Sequence, residues 1–261
     1  MYGAVVHFVS GIGIGALGTL IGAGGGWMIV PLLLFGYRFS PQEAVGTSLA
    51  VVFLNALSGS VAYMIQGRVL YRMGFAFAIA TIPGALGGAL LVQYLNSRWF
   101  SVLFGGLLLL IALFLHCGRQ LPSIRRRDAD LSGESLQSFR SPSMRLGVVL
   151  SFLVGVISTV FGIGGGIVHV PFLIVILGIP VHTATATSHF VLAITSLTGM
   201  LAFLRNGQVR LPVAASMGLG VLLGAQLGAL LSMRLPSEPI RRTLAVALAV
   251  FACWLILRTA F

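Results

Sequence analysis

The sequence predicts an all-α polytopic membrane protein built from two homologous helical repeats, and three observations carry that expectation. Hydrophobic residues make up 57% of the 261-residue chain and charged residues only 8%, where an ordinary soluble domain carries roughly 25% charged residues. Apolar runs recur at close to the ~20 residues that a helix needs to cross a hydrocarbon core of about 30 Å. One glycine-rich stretch also occurs twice with the same internal spacing: Gly22, Ala23, Gly24, Gly25, Gly26 with Pro31, and Gly162, Ile163, Gly164, Gly165, Gly166 with Pro171.

The offset that superposes these two stretches also pairs Ala44 with Ala184, Thr47 and Ser48 with Thr187 and Ser188, Gly59 with Gly199, Gly67 with Gly207, Val69 with Val209 and Gly88 with Gly228. This register predicts a first repeat over residues 1–116, a polar cytoplasmic linker over 117–145 and a second repeat over 146–261. Glycines that interrupt an apolar run in corresponding places of two repeats point to broken or half-length helices, a device of membrane transporters. Close packing of helix backbones is the alternative use of such glycines.

In chain order, residues 5–21 form an apolar, glycine-rich span with no basic stretch before it, which reads as a span and not a cleaved signal peptide. It contains Gly13, Gly15 and Gly18 in a G-x-G-x-x-G spelling. Without a preceding strand, a βαβ context or an acidic ribose contact, that spelling predicts helix packing and not a dinucleotide site. Residues 27–36 after the first break give about 15 Å of helix, too short to cross alone, with Pro31 expected to kink it. Residues 37–43 read as a polar loop and 44–65 as a full span carrying Thr47, Ser48, Asn55 and Ser58; hydroxyls in such spans often bond back to their own helix. A basic loop at 66–72 precedes scaffold spans at 73–95 and 99–116. Gly84 and Gly88, extended in the second copy as Gly220, Gly224 and Gly228, let helix backbones approach closely. The linker holds Arg125, Arg126, Arg127, Asp128, Asp130 and Glu134. The second copy follows as 146–161, the break, a short run to 178, and spans near 184–204, 211–233 and 240–257.

Two topologies fit these elements. If each break joins a re-entrant hairpin, a repeat crosses three times and the second copy is inverted. If each broken segment crosses once, there are four crossings and the copies are parallel. Both place eleven arginines on the linker's side and five opposite, so the positive-inside bias does not separate them. The short segment after each break favours the inverted arrangement.

The net charge of +11 comes from sixteen arginines and no lysine. They lie between apolar runs as the positive-inside bias requires, and not on a soluble basic face, so no nucleic-acid partner is expected. Cys117 and Cys253 show no metal-ligand or pairing pattern, and neither a metal nor a cofactor is expected. All five acids, Glu43, Asp128, Asp130, Glu134 and Glu238, fall in or beside predicted loops, leaving a membrane interior without carboxylates that suits an anion better than a cation. A glycine break exposes backbone N–H groups at a half-helix start, where the helix dipole favours negative charge. The expected anion-binding residues are therefore Gly24, Gly25, Gly26, Gly164, Gly165 and Gly166, with side-chain donors from Thr47, Ser48, Asn55, Thr187, Ser188 and His189. His169 and His189 stand where the first copy has Ile29 and Leu49. Both are proton-coupling candidates, with a hydrogen-bonded core histidine as the simpler role. The H-E-x-x-H, G-x-S-x-G and Walker A patterns of enzymes are absent.

At Gly22–Pro31 with Ala44, Val45, Gly46, Thr47 and Ser48, and again at Gly162–Pro171 with Ala184, Thr185, Ala186, Thr187 and Ser188, the chain resembles the sulfite exporter TauE/SafE family of membrane permeases. The resemblance covers both halves and excludes mainly the linker. It implies transport of small sulfur-containing anions such as sulfite, sulfoacetate or other organosulfonates across a bacterial inner membrane, without fixing direction. The second copy departs from the first in reading Ala-Thr-Ala-Thr-Ser-His. The partners expected are a small anion, the lipid bilayer and a second copy of the chain. The competing reading is a membrane scaffold or a subunit of a larger complex, in which the glycines only pack helices.

Overall fold

The first helix, α1 (Tyr2–Ile21), ends where the first glycine cluster begins, and a short α2 (Gly26–Pro31) restarts beyond it and passes into a π-helical turn at Leu32–Gly36. The computed structural model describes residues 2–117, 142–235, 245–246, 248–253 and 255. Most of the predicted linker and part of the last predicted span lie outside the described residues. The remaining helices are α3 (Pro41–Ile65), α4 (Tyr71–Leu91) with a 3-10 turn at Val92–Tyr94, α5 (Ser97–Cys117), α6 (Pro142–Val160), α7 (Gly166–Val175), α8 (Val181–Arg205) and α9 (Leu211–Arg234). Residues described between 245 and 255 are helical, and the described residues contain no strand.

Helices α1, α3, α4, α8 and α9 are each long and apolar enough to cross a membrane. Ile79 and Leu90 on α4, like Leu219 and Leu230 on α9, are more than half exposed, which suits side chains that face hydrocarbon. The protein is an all-α polytopic membrane protein. Helix α3 starts earlier than the expected residue 44 because Ser40 and Glu43 form a capping box: Glu43 N–H donates to Ser40 Oγ at 3.3 Å and Ser40 N–H donates to Glu43 Oε2 at 3.1 Å. Two otherwise unsatisfied backbone donors are thereby paired.

Glycines set the helix pairing. A Cβ at Gly220, Gly224 or Gly228 of α9 would strike the backbone of Phe8, Ile12 or Ala16 of α1. One at Gly84 or Gly88 of α4 would strike Phe152 or Val156 of α6. In each pair the contacting numbers rise together, so α1 runs parallel to α9, and α4 parallel to α6. Helices α3 and α8 run the other way: Gly46 lies against Phe203, and Gly59 against His189. Thr47 Oγ1 accepts from the Arg210 amide at 3.0 Å, and its counterpart in the second copy, Thr187 Oγ1, accepts from the Leu70 amide at 3.1 Å. Corresponding positions of the two copies thus exchange places, as under a half-turn about an axis perpendicular to α3 and α8.

The path of the chain follows. The His7 ring, near the start of α1, lies 5.0 Å from the ring of Tyr37, just beyond the π-turn. Helix α2 therefore brings the chain back to the end from which α1 set out, and the pair forms a re-entrant hairpin. Because α4 is parallel to α6, the α3–α4 loop lies at the end where α6 begins, called here the linker end.

Candidate functional site

Both breaks take the same backbone path. Gly22, Gly24 and Gly25 have φ of 77°, 74° and 77°, and Gly162, Gly164 and Gly165 have φ of 66°, 75° and 98°. These left-handed values are open to glycine at little cost. The Ala23 and Gly24 amides both donate to the Gly18 carbonyl, at 2.8 and 3.1 Å, while the Ile163 and Gly164 amides both donate to the Ser158 carbonyl, at 3.0 and 3.4 Å. The first amides bonded back into each break are those of Met28 and Val168, so the starts of α2 and α7 keep the unpaired donors typical of a helix N-terminus. The breaks abut: a Cβ on Gly26 would lie 2.5 Å from the Gly162 oxygen, and one on Gly166 would strike the Gly22 oxygen. Val52 and Leu192, counterparts in the two copies, pack against both Gly24 and Gly164. The crossing point itself is therefore apolar.

The polar chemistry lies to one side of it, towards the linker end. Thr19 Oγ1 donates to Asn55 Oδ1 at 3.2 Å and lies 3.3 Å from His189 Nε2. The one Thr19 proton is used on Asn55, so the network assigns the ring proton to His189 Nε2, donating to Thr19. Tyr63 donates its hydroxyl to the Thr19 carbonyl at 2.7 Å and sets its ring edge-on to His189 at 5.7 Å. Gly59 is required beneath them, since a Cβ there would fall 2.6 Å from the imidazole.

Thr19, Asn55, Tyr63, Ser188 and His189 are all fully buried, yet Asn55 Nδ2, Ser188 Oγ and His189 Nδ1 have no hydrogen-bond partner. A buried donor left unsatisfied costs about 1–3 kcal/mol. Asn55 Nδ2 and Ser188 Oγ are donors without an acceptor in this buried cluster. The corresponding positions of the other copy are Thr159, Thr195, Leu49 and Phe203. Thr195 donates to Thr81 Oγ1 at 2.7 Å, and no amide, imidazole or phenol is present there.

A family model for the sulfite exporter TauE/SafE matches residues 7–255. The chain belongs to the TauE/SafE family. Among curated relatives, the probable membrane transporter protein YunE of Bacillus subtilis strain 168 is 33% identical, covering 97% of each chain. A probable membrane transporter protein of Methanocaldococcus jannaschii is 28% identical over 97% of this chain and 94% of its own. The probable membrane transporter protein YfcA of Escherichia coli K12 is 26% identical over 90% and 83%. No solved structure matches the chain.

Within this TauE/SafE protein, Asn55 and His189 of the sequence-predicted set meet at Thr19 and buried Ser188 precedes His189 on α8. Gly26 abuts Gly162 and Ile163, Gly166 abuts Gly22 and Ala23, and Gly24 and Gly164 share Val52 and Leu192, whereas Gly25 and Gly165 pack within their own halves. Ser48 donates across the halves to the Gly162 carbonyl at 2.8 Å, so its proton fixes the opposite break. Thr47 and Thr187 stand away from the cluster, accepting from the loop amides described above. His169 is separate too: its Nε2 is 3.2 Å from Ser151 Oγ, and its ring packs 5.5 Å from both Phe77 and Phe172. Thr19, Gly59 and Tyr63 were missing from the expectation. Asn55, Gly59 and Tyr63 recur every four residues and so share one face of α3, a spacing visible in the sequence.

Proposed function

We propose that this TauE/SafE protein carries a small sulfur-containing anion, sulfite, sulfoacetate or another organosulfonate, across the inner membrane. The buried cluster of Thr19, Asn55, Ser188 and His189 forms its binding site between two halves of inverted topology. The observation that carries this reading is the pair of buried, unpartnered donors, Asn55 Nδ2 and Ser188 Oγ. An oxyanion supplies the acceptors they lack. Glu43 is the one acidic residue among the described residues and sits at the end opposite the linker, paired with Arg210, so no described carboxylate repels an anion from the cluster. The start of α2, whose unpaired amides face the linker end, adds a favourable dipole end nearby. The linker end, with Arg68, Arg72, Arg145 and Arg234 beside the arginine-rich linker, is the cytoplasmic one. His189 is the one titratable group in the cluster and couples the anion to a proton.

Purified protein in proteoliposomes, tested with sulfite, sulfoacetate, taurine and sulfate, decides between this and a non-transporting scaffold. Saturable uptake of at least one sulfur anion is expected. Asn55→Leu, which removes the amide while keeping volume, is expected to lower that uptake by about tenfold or more, the worth of one charge-assisted hydrogen bond of about 1.5–3 kcal/mol. Folded wild-type protein that moves none of the four anions would reject transport in favour of the scaffold.

A further inference from the structure

At the linker end a cavity of about 240 Å³ is lined by Arg68, His182, Ser232 and Met233. It has room for a small anion with several waters, each taking about 30 Å³. Arg68 Nη1 donates to Gln66 Oε1 at 2.8 Å and to Ser232 Oγ at 3.1 Å, whereas Arg68 Nη2 is buried and has no partner. The guanidinium carbon lies 5.2 Å from the Tyr63 ring, and the same ring meets His189 in an edge contact with centroids 5.7 Å apart. One aromatic side chain therefore touches both the cavity's arginine and the cluster's histidine. A half-buried guanidinium pays a desolvation cost that a counter-ion normally offsets; among the described residues no carboxylate pairs with Arg68. Its counterpart in the second copy is Gln208, which forms a reciprocal amide pair with Gln93 at 2.8 and 2.9 Å. Phe203 replaces Tyr63 and Gln42 replaces His182 in that register. The cationic cavity thus belongs to one end only.

We propose that Arg68 forms a second anion subsite, a cytoplasmic vestibule in which a sulfonate or related oxyanion is held by the guanidinium before it passes Tyr63 to the buried cluster, while Ser232, whose own proton goes to the Ala229 carbonyl at 2.8 Å, holds Nη1 in place. This rests on the transport reading for its second step. The vestibule itself is tested without transport. In a Cys117→Ser, Cys253→Ser background, Ser232→Cys is modified with 2-sulfonatoethyl methanethiosulfonate, itself a sulfonate, and with its trimethylammonium counterpart.

Relative to a free thiol, the vestibule favours the anionic reagent, and Arg68→Gln lowers that preference about tenfold, as removal of a nearby unit charge in a medium of intermediate dielectric implies. Added sulfoacetate slows the anionic modification in the Arg68 protein and not in Arg68→Gln. Met233→Cys, at the exposed rim of the same cavity, gives a second reporter should Ser232→Cys fail to fold. An unchanged reagent preference at both positions on loss of Arg68 overturns the subsite. In flux assays, Arg68→Gln raises KM more than it lowers the maximal rate, and Arg68→Lys recovers part of the KM. Charge-selective labelling without any flux would sink the transport reading and leave the vestibule standing, while flux with Arg68→Gln kinetics equal to wild type would sink the vestibule's part in it.

Discussion

Replacing Gly26 by alanine isolates the contact between the two breaks. The φ of Gly26 is not positive, so alanine meets no conformational penalty there, and its whole cost is steric. The new methyl would sit 2.5 Å from the Gly162 oxygen and 2.7 Å from Ile163 Cα. Both are backbone atoms that cannot swing aside. Since ordinary contact begins at 3.4 Å, the halves must part by most of an ångström at the point where they touch. Overpacking of this kind costs about 1–3 kcal/mol, and backbone on backbone places it at the upper end. With about 2–4 °C of melting temperature per kcal/mol for a chain of this size, Gly26→Ala is expected to melt about 6–12 °C below wild type in detergent. Gly13→Ala is the control: it meets nothing within 4 Å and gains helix propensity worth up to about 1 kcal/mol, so it should melt at or above wild type. Gly207→Ala, with φ of 68° and open surroundings, separates backbone strain of about 1 kcal/mol from the steric cost. If Gly26→Ala and Gly13→Ala unfold within a degree of one another, the breaks do not bear on each other and the reasoning fails.

Two further outcomes follow from the site and its closure. Uptake by wild type is expected to fall as pH rises through the titration of His189, because the protonated ring attracts an anion and the neutral ring does not, and His189→Gln should flatten that profile; equal profiles in radiotracer flux would make His189 a structural residue. Glu43→Gln removes the ion pair with Arg210, whose side chain is 57% exposed, and keeps a group able to complete the capping box. A loss under about 1 kcal/mol in denaturant or thermal melts is expected, and a larger loss would show that this pair holds the outer end shut.

What the sequence disclosed and what it withheld divide along the distance over which residues act. The breaks were legible because Gly22, Gly24 and Gly25 and their partners at 162, 164 and 165 advertise left-handed backbone locally, and the repeat register doubled the signal. The sense of the second half was not legible from charge, since both topologies divide the arginines alike; the contacts of Gly46 with Phe203 and of Gly59 with His189 set α3 and α8 antiparallel. Asn55, Ser188 and His189 of the proposed site could be chosen by chemical type. Thr19 and Tyr63 could not, because their roles arise where α1 meets α3. Nor could the partners of Thr47 and Thr187 be read locally: the amides they accept from, Arg210 and Leu70, lie in the opposite half of the chain. The Ser40–Glu43 capping box was readable, and its Ser-Pro-Gln-Glu spelling outweighs the polarity that made residues 37–43 look like a loop.

The interleaving of α1 with α9 and of α4 with α6 means that neither repeat owns a complete interior. A half-length chain ending before the linker would leave the small-residue faces of its own α1 and α4 bare. The surface able to cover them would be that of another copy, inserted upside down. Two short chains placed in opposite senses in one bilayer would reproduce nearly every backbone contact described here. The linker's contribution is then less to architecture than to difference: once both copies reside in one polypeptide, a histidine at 189 need not be matched by one at 49, nor an arginine at 68 by one at 208, and a symmetric vessel can acquire distinct inner and outer ends.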